Sequence, residues 1–140
     1  PLYDYTIPFG KAKIRKKGKD VTILGKLRSV YTALEASKTL EQRNISCEVI
    51  DPRTIVPFDS KLLFNSVKRT GRLVIVDECT KTGGWAGEIS ALVQENIFKY
   101  LKKPVVRVTA PDTPVPFAPK LENFFIPQAK DVVKEVLKLF

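Results

Sequence analysis

The chain has 140 residues, a net charge of +9, 44% hydrophobic and 28% charged residues, two cysteines, and neither histidine nor methionine. That length supports one domain with its own core, and the composition excludes disordered and collagen-like classes. Without histidine there is no Ser/His/Asp or Cys/His catalytic arrangement, and the commonest metal ligand is missing. The longest apolar runs, such as Leu73-Val74-Ile75-Val76, fall far short of a membrane span. No charged-then-apolar leader opens the chain and two cysteines make no disulfide framework, so we expect an intracellular protein. The lack of any methionine leads us to expect a piece of a longer one.

Residues 1–10, with two prolines and three aromatics, read as an extended linker, so the domain is expected over 11–140. Lys11, Lys13, Arg15, Lys16, Lys17 and Lys19 form a basic arm, and without them 18 basic residues face 15 acidic ones. The arm has no interleaved aromatics for base stacking. Its alternation over Lys11-Ala12-Lys13-Ile14-Arg15 fits an exposed edge strand, where lysines discourage sheet-to-sheet association. Nucleic-acid binding through this arm is the competing reading, and it requires steep weakening with added salt.

Val21 to Leu24 reads as a buried strand. A helix from Lys26, with Leu27, Val30, Tyr31, Leu34 and Leu40 on one stripe, is expected to end at Arg43-Asn44. Cys47 to Asp51 is a second strand, stopped by Pro52. Asp59 is placed to cap a helix carrying Leu62, Leu63 and Val67 and closed by Gly71. Leu73 to Val76 is continuously apolar, as a strand covered on both faces should be. Trp85, Ile89, Leu92, Val93, Ile97, Tyr100 and Leu101 mark a helix face, and Val105 to Thr109 is a fourth strand. A proline-rich stretch, 111–127, then crosses the surface before a last helix with Val132, Val133, Val136, Leu137 and Phe140 on one side. Four strand-helix repeats at this spacing predict a three-layer α/β/α domain with a mostly parallel sheet.

In such sheets ligands bind beyond the carboxyl ends of the strands. Arg53, after the second strand, has two readings: a clamp for a carboxylate or phosphate, or a side chain that stiffens its loop by bonding carbonyls. Thr82-Gly83-Gly84-Trp85 leads into a helix and can present N–H groups to an anion. It matches neither a dinucleotide fingerprint nor a Walker loop. The alternative has Thr82 capping the helix, Gly83, Gly84 and Gly87 allowing close packing, and Trp85 anchoring a core or a subunit contact. Asp77 and Glu78 are neighbours on an extended chain and point apart, so a shared metal is not expected. Cys47 and Cys79 lack C-x-x-C partners and read as free thiols. Asp112 and Pro114 belong to a stiff stretch suited to presentation to another chain.

Several motifs occur in register: Val49-Ile50-Asp51-Pro52-Arg53-Thr54-Ile55-Val56-Pro57-Phe58-Asp59, Thr70-Gly71-Arg72 through Asp77-Glu78, Thr82-Gly83-Gly84, Ala110-Pro111-Asp112-Thr113-Pro114-Val115-Pro116, and Ile126-Pro127. Together with the lead-in Tyr5 to Ala12, they resemble the C-terminal half of the β subunit of the thiamine-diphosphate-dependent decarboxylase component of 2-oxo acid dehydrogenase complexes. That half is a transketolase C-terminal-type domain. The resemblance implies that thiamine diphosphate and magnesium are bound outside this chain, which then carries no catalytic, cofactor-binding or metal residue and is inactive alone. It implies a β–β contact within an α2β2 tetramer and a docking surface for the subunit-binding domain of the acyltransferase component. Arg53, Thr82, Gly83, Gly84, Trp85, Asp112, Pro114 and Phe140 are then candidates for these contacts, Phe140 with its terminal carboxylate by position only. The expected compartment is the mitochondrial matrix in a eukaryote and the cytoplasm in a prokaryote.

Two departures stand out. Leu24-Gly25-Lys26-Leu27 places glycine earlier than the family's turn, and Lys102-Lys103-Pro104 is basic where relatives often carry an acid. Thr82 to Ser90 followed by Val93-Gln94-Glu95 is most similar to branched-chain enzymes, with pyruvate and acetoin enzymes sharing much of the pattern. Pyruvate dehydrogenase is the alternative within the family. A free-standing anion- or nucleotide-binding module using Thr82-Gly83-Gly84 is the alternative outside it.

Overall fold

A computed structural model describes residues 4–140, so part of the expected linker lies outside the described residues. The strands are β1 (Lys13–Lys16), β2 (Val21–Gly25), β3 (Cys47–Asp51), β4 (Leu73–Thr80) and β5 (Val106–Ala110). The helices are α1 (Arg28–Glu41), α2 (Ser60–Thr70), α3 (Trp85–Ile97), α4 (Pro119–Phe125) and α5 (Ala129–Leu137). They form one sheet in the order β1-β3-β2-β4-β5, with β1 antiparallel to β3 and every other pair parallel.

The two faces of the sheet explain the continuous apolar strands. Val74 and Val76 of β4 point to one face, packing with Val21, Ile23 and Val49 under α1 (Ala33, Ala36, Leu40) and α5 (Val132, Val136). Leu73 and Ile75 point to the other, packing with Leu24 and Ile50 under α2 (Leu63, Val67) and α3 (Ile89, Val93, Ile97). Each Val, Leu or Ile among them, removed from water, contributes about 1.5–3 kcal/mol before conformational entropy is charged against it. Where β2 meets α2 the core is polar. The Thr22 hydroxyl lies 2.7 Å from that of Ser66 and 2.8 Å from that of Thr70, so three buried hydroxyls satisfy one another.

The three-layer α/β/α architecture predicted from the sequence is the one observed. Asp59 Oδ1 accepts from the Leu62 N–H at 3.1 Å and α2 ends at a left-handed Gly71. Asn44 takes a φ of 61° just beyond α1. The basic arm supplies an antiparallel edge strand with a bulge between Ile14 and Lys16. It is tied down by Arg15–Asp51 at 3.2 Å and Lys16–Glu41 at 2.9 Å.

Several boundaries differ from expectation. Helix α1 starts at Arg28 rather than Lys26, because Leu27 turns to a φ of 50°. Strand β4 runs to Thr80 instead of Val76, since Asp77 and Thr80 still pair with Thr109 and Ala110 across a bulge. The proline-rich stretch contains α4, with Pro119 at its first turn, where a missing N–H costs nothing. Finally, α5 stops at Leu137, and the Phe140 ring leaves it to lie 4.2 Å from the Arg72 guanidinium carbon. Arg72 also donates from Nε to the Leu139 carbonyl at 3.0 Å.

Candidate functional site

The connection from β2 goes to β3 on one side, and the chain then returns to place β4 on the other. A doubly wound sheet opens its ligand crevice at such a reversal, beyond the ends of the two central strands. Here those ends carry Lys26, just past β2, and Asp77 of β4. Lys26 Nζ lies 2.8 Å from Asp77 Oδ1, with the Asp77 side chain fully buried and that of Lys26 nearly so. Asp77 Oδ1 also accepts from the Cys79 N–H at 3.1 Å, and Oδ2 from the Ala86 N–H at 3.2 Å at the start of α3. The next carboxylate turns the other way. Glu78 Oε1 accepts from the Ser29 N–H at 3.1 Å and from its hydroxyl at 3.4 Å, at the start of α1.

Both helix N-termini that face the crevice are therefore met by the chain's own carboxylates, at the places where an anionic ligand would bind. Burial alone would push the Asp77 carboxyl up, but Lys26 and the two backbone N–H donors outweigh it and hold the carboxyl below the usual range. For Lys26, burial pushes down and Asp77 more than compensates, leaving the ammonium above its ordinary value. Cys79 Sγ stands 3.7 Å from Lys26 Nζ at the exposed margin, whereas burial pushes the Cys47 thiol up to about 12. No cluster of three metal-ligating side chains occurs among the described residues.

The remaining candidates fall into separate places. Thr82 does not cap α3, as one reading of the sequence expects. Its N–H and its hydroxyl both bond the Asp112 carboxylate, at 2.9 and 2.8 Å, joining the loop after β4 to the loop after β5. The backbone N–H of Thr82, then its hydroxyl, lower the Asp112 pKa. The N-cap position is Gly84, and a Cβ there would lie 2.2 Å from the Thr80 carbonyl oxygen, so only glycine fits. Gly83 takes a φ of 71° in open space. Trp85 is half-buried and meets Phe58 edge-on at 5.9 Å, an anchor within the α2–α3 layer.

Arg53 is exposed with a φ of 60°, and its N–H bonds Asp51 Oδ1 at 3.0 Å. The loop is stiffened by Thr54 instead, whose hydroxyl accepts from the Gly10 N–H at 2.9 Å and donates to the Pro57 carbonyl at 2.7 Å. Pro114 is exposed. Around it Val115, Phe117, Leu121 and Phe124 all face solvent, Phe117 completely and Phe124 at 87%. Sequence reasoning missed Lys26 and Ser29. The available signal was a lysine directly after one apolar strand and an aspartate at the end of another, which become neighbours only once the strand order is known.

The chain belongs to the family of the transketolase C-terminal domain, whose model matches residues 10–132. It is 49% identical over 128 residues to the β subunit of mitochondrial 2-oxoisovalerate dehydrogenase of Dictyostelium discoideum, covering 91% of this chain and 34% of that protein. It is 44% identical over 130 residues to the mitochondrial pyruvate dehydrogenase E1 β subunit of the same organism, covering 93% of this chain and 36% of the other. It is also 44% identical over 135 residues to the β subunit of acetoin:2,6-dichlorophenolindophenol oxidoreductase of Bacillus subtilis (strain 168), covering 96% and 40%. Among solved structures, a split-gene transketolase described as an inactive β4 tetramer superposes with a TM-score of 0.83 at 32% identity, covering 97% of this chain and 43% of that one. The chain thus spans between 34% and 40% of the length of these curated relatives.

Proposed function

We propose that the chain is the C-terminal assembly domain of the β subunit of a 2-oxo acid dehydrogenase. Such an enzyme decarboxylates a 2-oxo acid on thiamine diphosphate and passes the acyl group to a lipoyl arm. One observation carries the reading. The crevice at the strand ends is filled by Lys26, Asp77 and Glu78, while Val115, Phe117, Leu121 and Phe124 are turned outward. A domain whose inner site is closed and whose apolar side chains face out is suited to contact another chain. The β subunits among its relatives supply the kind of assembly.

The expected partners are a second β subunit and α subunits in an α2β2 tetramer, with the subunit-binding domain of the acyltransferase component docking on it. Thiamine diphosphate and magnesium are expected to be bound outside this chain; the commitment of Asp77 and Glu78 to Lys26 and to helix N-termini supports this for the metal. We assign no step of the decarboxylation to this chain. For the substrate, the 2-oxoisovalerate relative at 49% identity favours a branched-chain 2-oxo acid. Pyruvate dehydrogenase at 44% supports pyruvate as the second reading. The expected compartment is the mitochondrial matrix in a eukaryote or the cytoplasm in a bacterium, and the mitochondrial and bacterial relatives support this reading.

Light scattering on the 140-residue chain across a concentration series, with and without an acyltransferase subunit-binding domain, tests the assembly role. The expected result is a concentration-dependent dimer that takes up the binding domain. A monomer indifferent to that domain at every concentration would remove the reading.

A further inference from the structure

Arg107 of β5 lies where three surface grooves meet. The largest, about 700 Å³, runs between α3 and the segment joining it to β5. Phe98 and Leu101 give it an apolar lining; Lys102, Lys103 and Arg107 give it positive charge, and no carboxylate lines it. Among the described residues none of these three cations has a salt-bridge partner. One of them is nevertheless held in place: Arg107 Nη1 donates to the Lys81 carbonyl at 3.2 Å. The backbone that carries Lys102 is fixed as well, its N–H donating to the Gly71 carbonyl at 2.8 Å. The adjoining hollow around Gly83 adds Lys81 and one acid, Glu88. Through Arg107 the groove touches β5, an edge strand of the sheet.

We propose that this groove docks an acidic, apolar-bearing, extended segment of a partner protein. Its carboxylates would meet Lys102, Lys103 and Arg107, and its apolar side chains would lie against Phe98 and Leu101. The inference rests on the assembly reading and adds to it the chemistry of the partner. A second copy of this chain is a poor occupant, because it carries +9 itself. A bare phosphate or a nucleic acid would use the charge but leave the apolar lining unmet. Charge of one sign lining a cleft steers a partner of the other sign and fixes its register.

Fluorescence anisotropy with a fluorescein-labelled peptide of alternating glutamate and leucine tests this on the 140-residue chain. A saturable rise that weakens with added salt is expected. Lys103→Glu, an exposed position where the fold should survive as judged by circular dichroism, is expected to weaken binding at least about tenfold. Lys13→Glu, on the opposite edge of the sheet, is expected to leave it unchanged. No saturable rise, or equal affinity for wild type and Lys103→Glu, overturns the proposal. Full displacement by inorganic phosphate or by a single-stranded oligonucleotide overturns the peptide assignment and makes the groove a general anion site. If the chain dimerises and takes up a binding domain but ignores the peptide, this inference fails alone. Peptide binding by a monomer that ignores the binding domain sinks the assembly reading instead.

Discussion

The ends of β2 and β4 and the surface beyond β5 treat charge in opposite ways. At the strand ends every charge has a partner: Lys26 with Asp77, and two helix N-termini with Asp77 and Glu78. Beyond β5, Lys102, Lys103 and Arg107 line a groove without a carboxylate, and Val115, Phe117, Leu121 and Phe124 stand in water. The first arrangement stabilises the fold and closes a crevice that this architecture commonly uses for ligands. The second does nothing for the isolated fold. The same topology can therefore retire its usual binding site and place its recognition chemistry on an edge.

The sharpest way to break the comparison is Asp77→Ala. It leaves the Lys26 ammonium buried without its counter-charge and removes two hydrogen bonds to backbone N–H groups, one of them at the start of α3. A loss of about 3–5 kcal/mol in urea unfolding at neutral pH is expected. A loss below about 1 kcal/mol would mean that water screens the pair as on a surface. The same pair sets a pH window. Because the folded Asp77 pKa is depressed, its contribution is fully present above the usual carboxylate range and disappears as acidification passes the folded value. Because the Lys26 pKa is raised, its contribution is present below the ordinary lysine range and is lost as alkali passes the folded value. Stability measured against pH should fall at both ends, and less so in Asp77→Ala.

Gly84→Ala comes next. The new Cβ would press on the Thr80 carbonyl, and overpacking of this kind costs about 1–3 kcal/mol. An unchanged unfolding midpoint would show that the turn into α3 moves freely. Phe124→Ser sharpens the other side of the comparison. Its ring is exposed, so the unfolding free energy from urea titration should change by under about 0.5 kcal/mol while concentration-dependent association in light scattering weakens. Association that persists in full would place the contact elsewhere on the domain. The smallest effect belongs to Thr82→Val. It removes the hydroxyl bond to Asp112 but keeps the N–H bond, so the Asp112 midpoint followed by NMR should move partway up toward the ordinary carboxylate value. A stationary midpoint would assign the whole depression to the backbone donor.

Much of this was legible in the residues. Asp59 three positions before Leu62, Gly71 after α2 and Asn44 after α1 act over one helical turn, so their signal is local. The apolar run Leu73 to Val76 announced a strand covered on both faces, and the alternation of strands and helices announced the layers. The helix α4 was obscured by its prolines, although Pro119 at a first turn is compatible with one. For the candidate site, Trp85 and the strand-end location were readable, but the roles of the polar side chains were not. Thr82 read as a cap, because a threonine just before a helix usually is one. It bonds Asp112 instead, 30 residues away.

By itself the sequence determined every element but α4, their order, the mostly parallel sheet and the family, because periodicity, caps and motifs depend on residues near one another in the chain. The tertiary structure alone decided that Lys26 meets Asp77, that Glu78 meets Ser29 49 residues away, and that Lys102, Lys103 and Arg107 share one groove. The reason is that a charge takes its partner from whichever strand end the sheet order brings beside it, and separation along the chain carries no trace of that order.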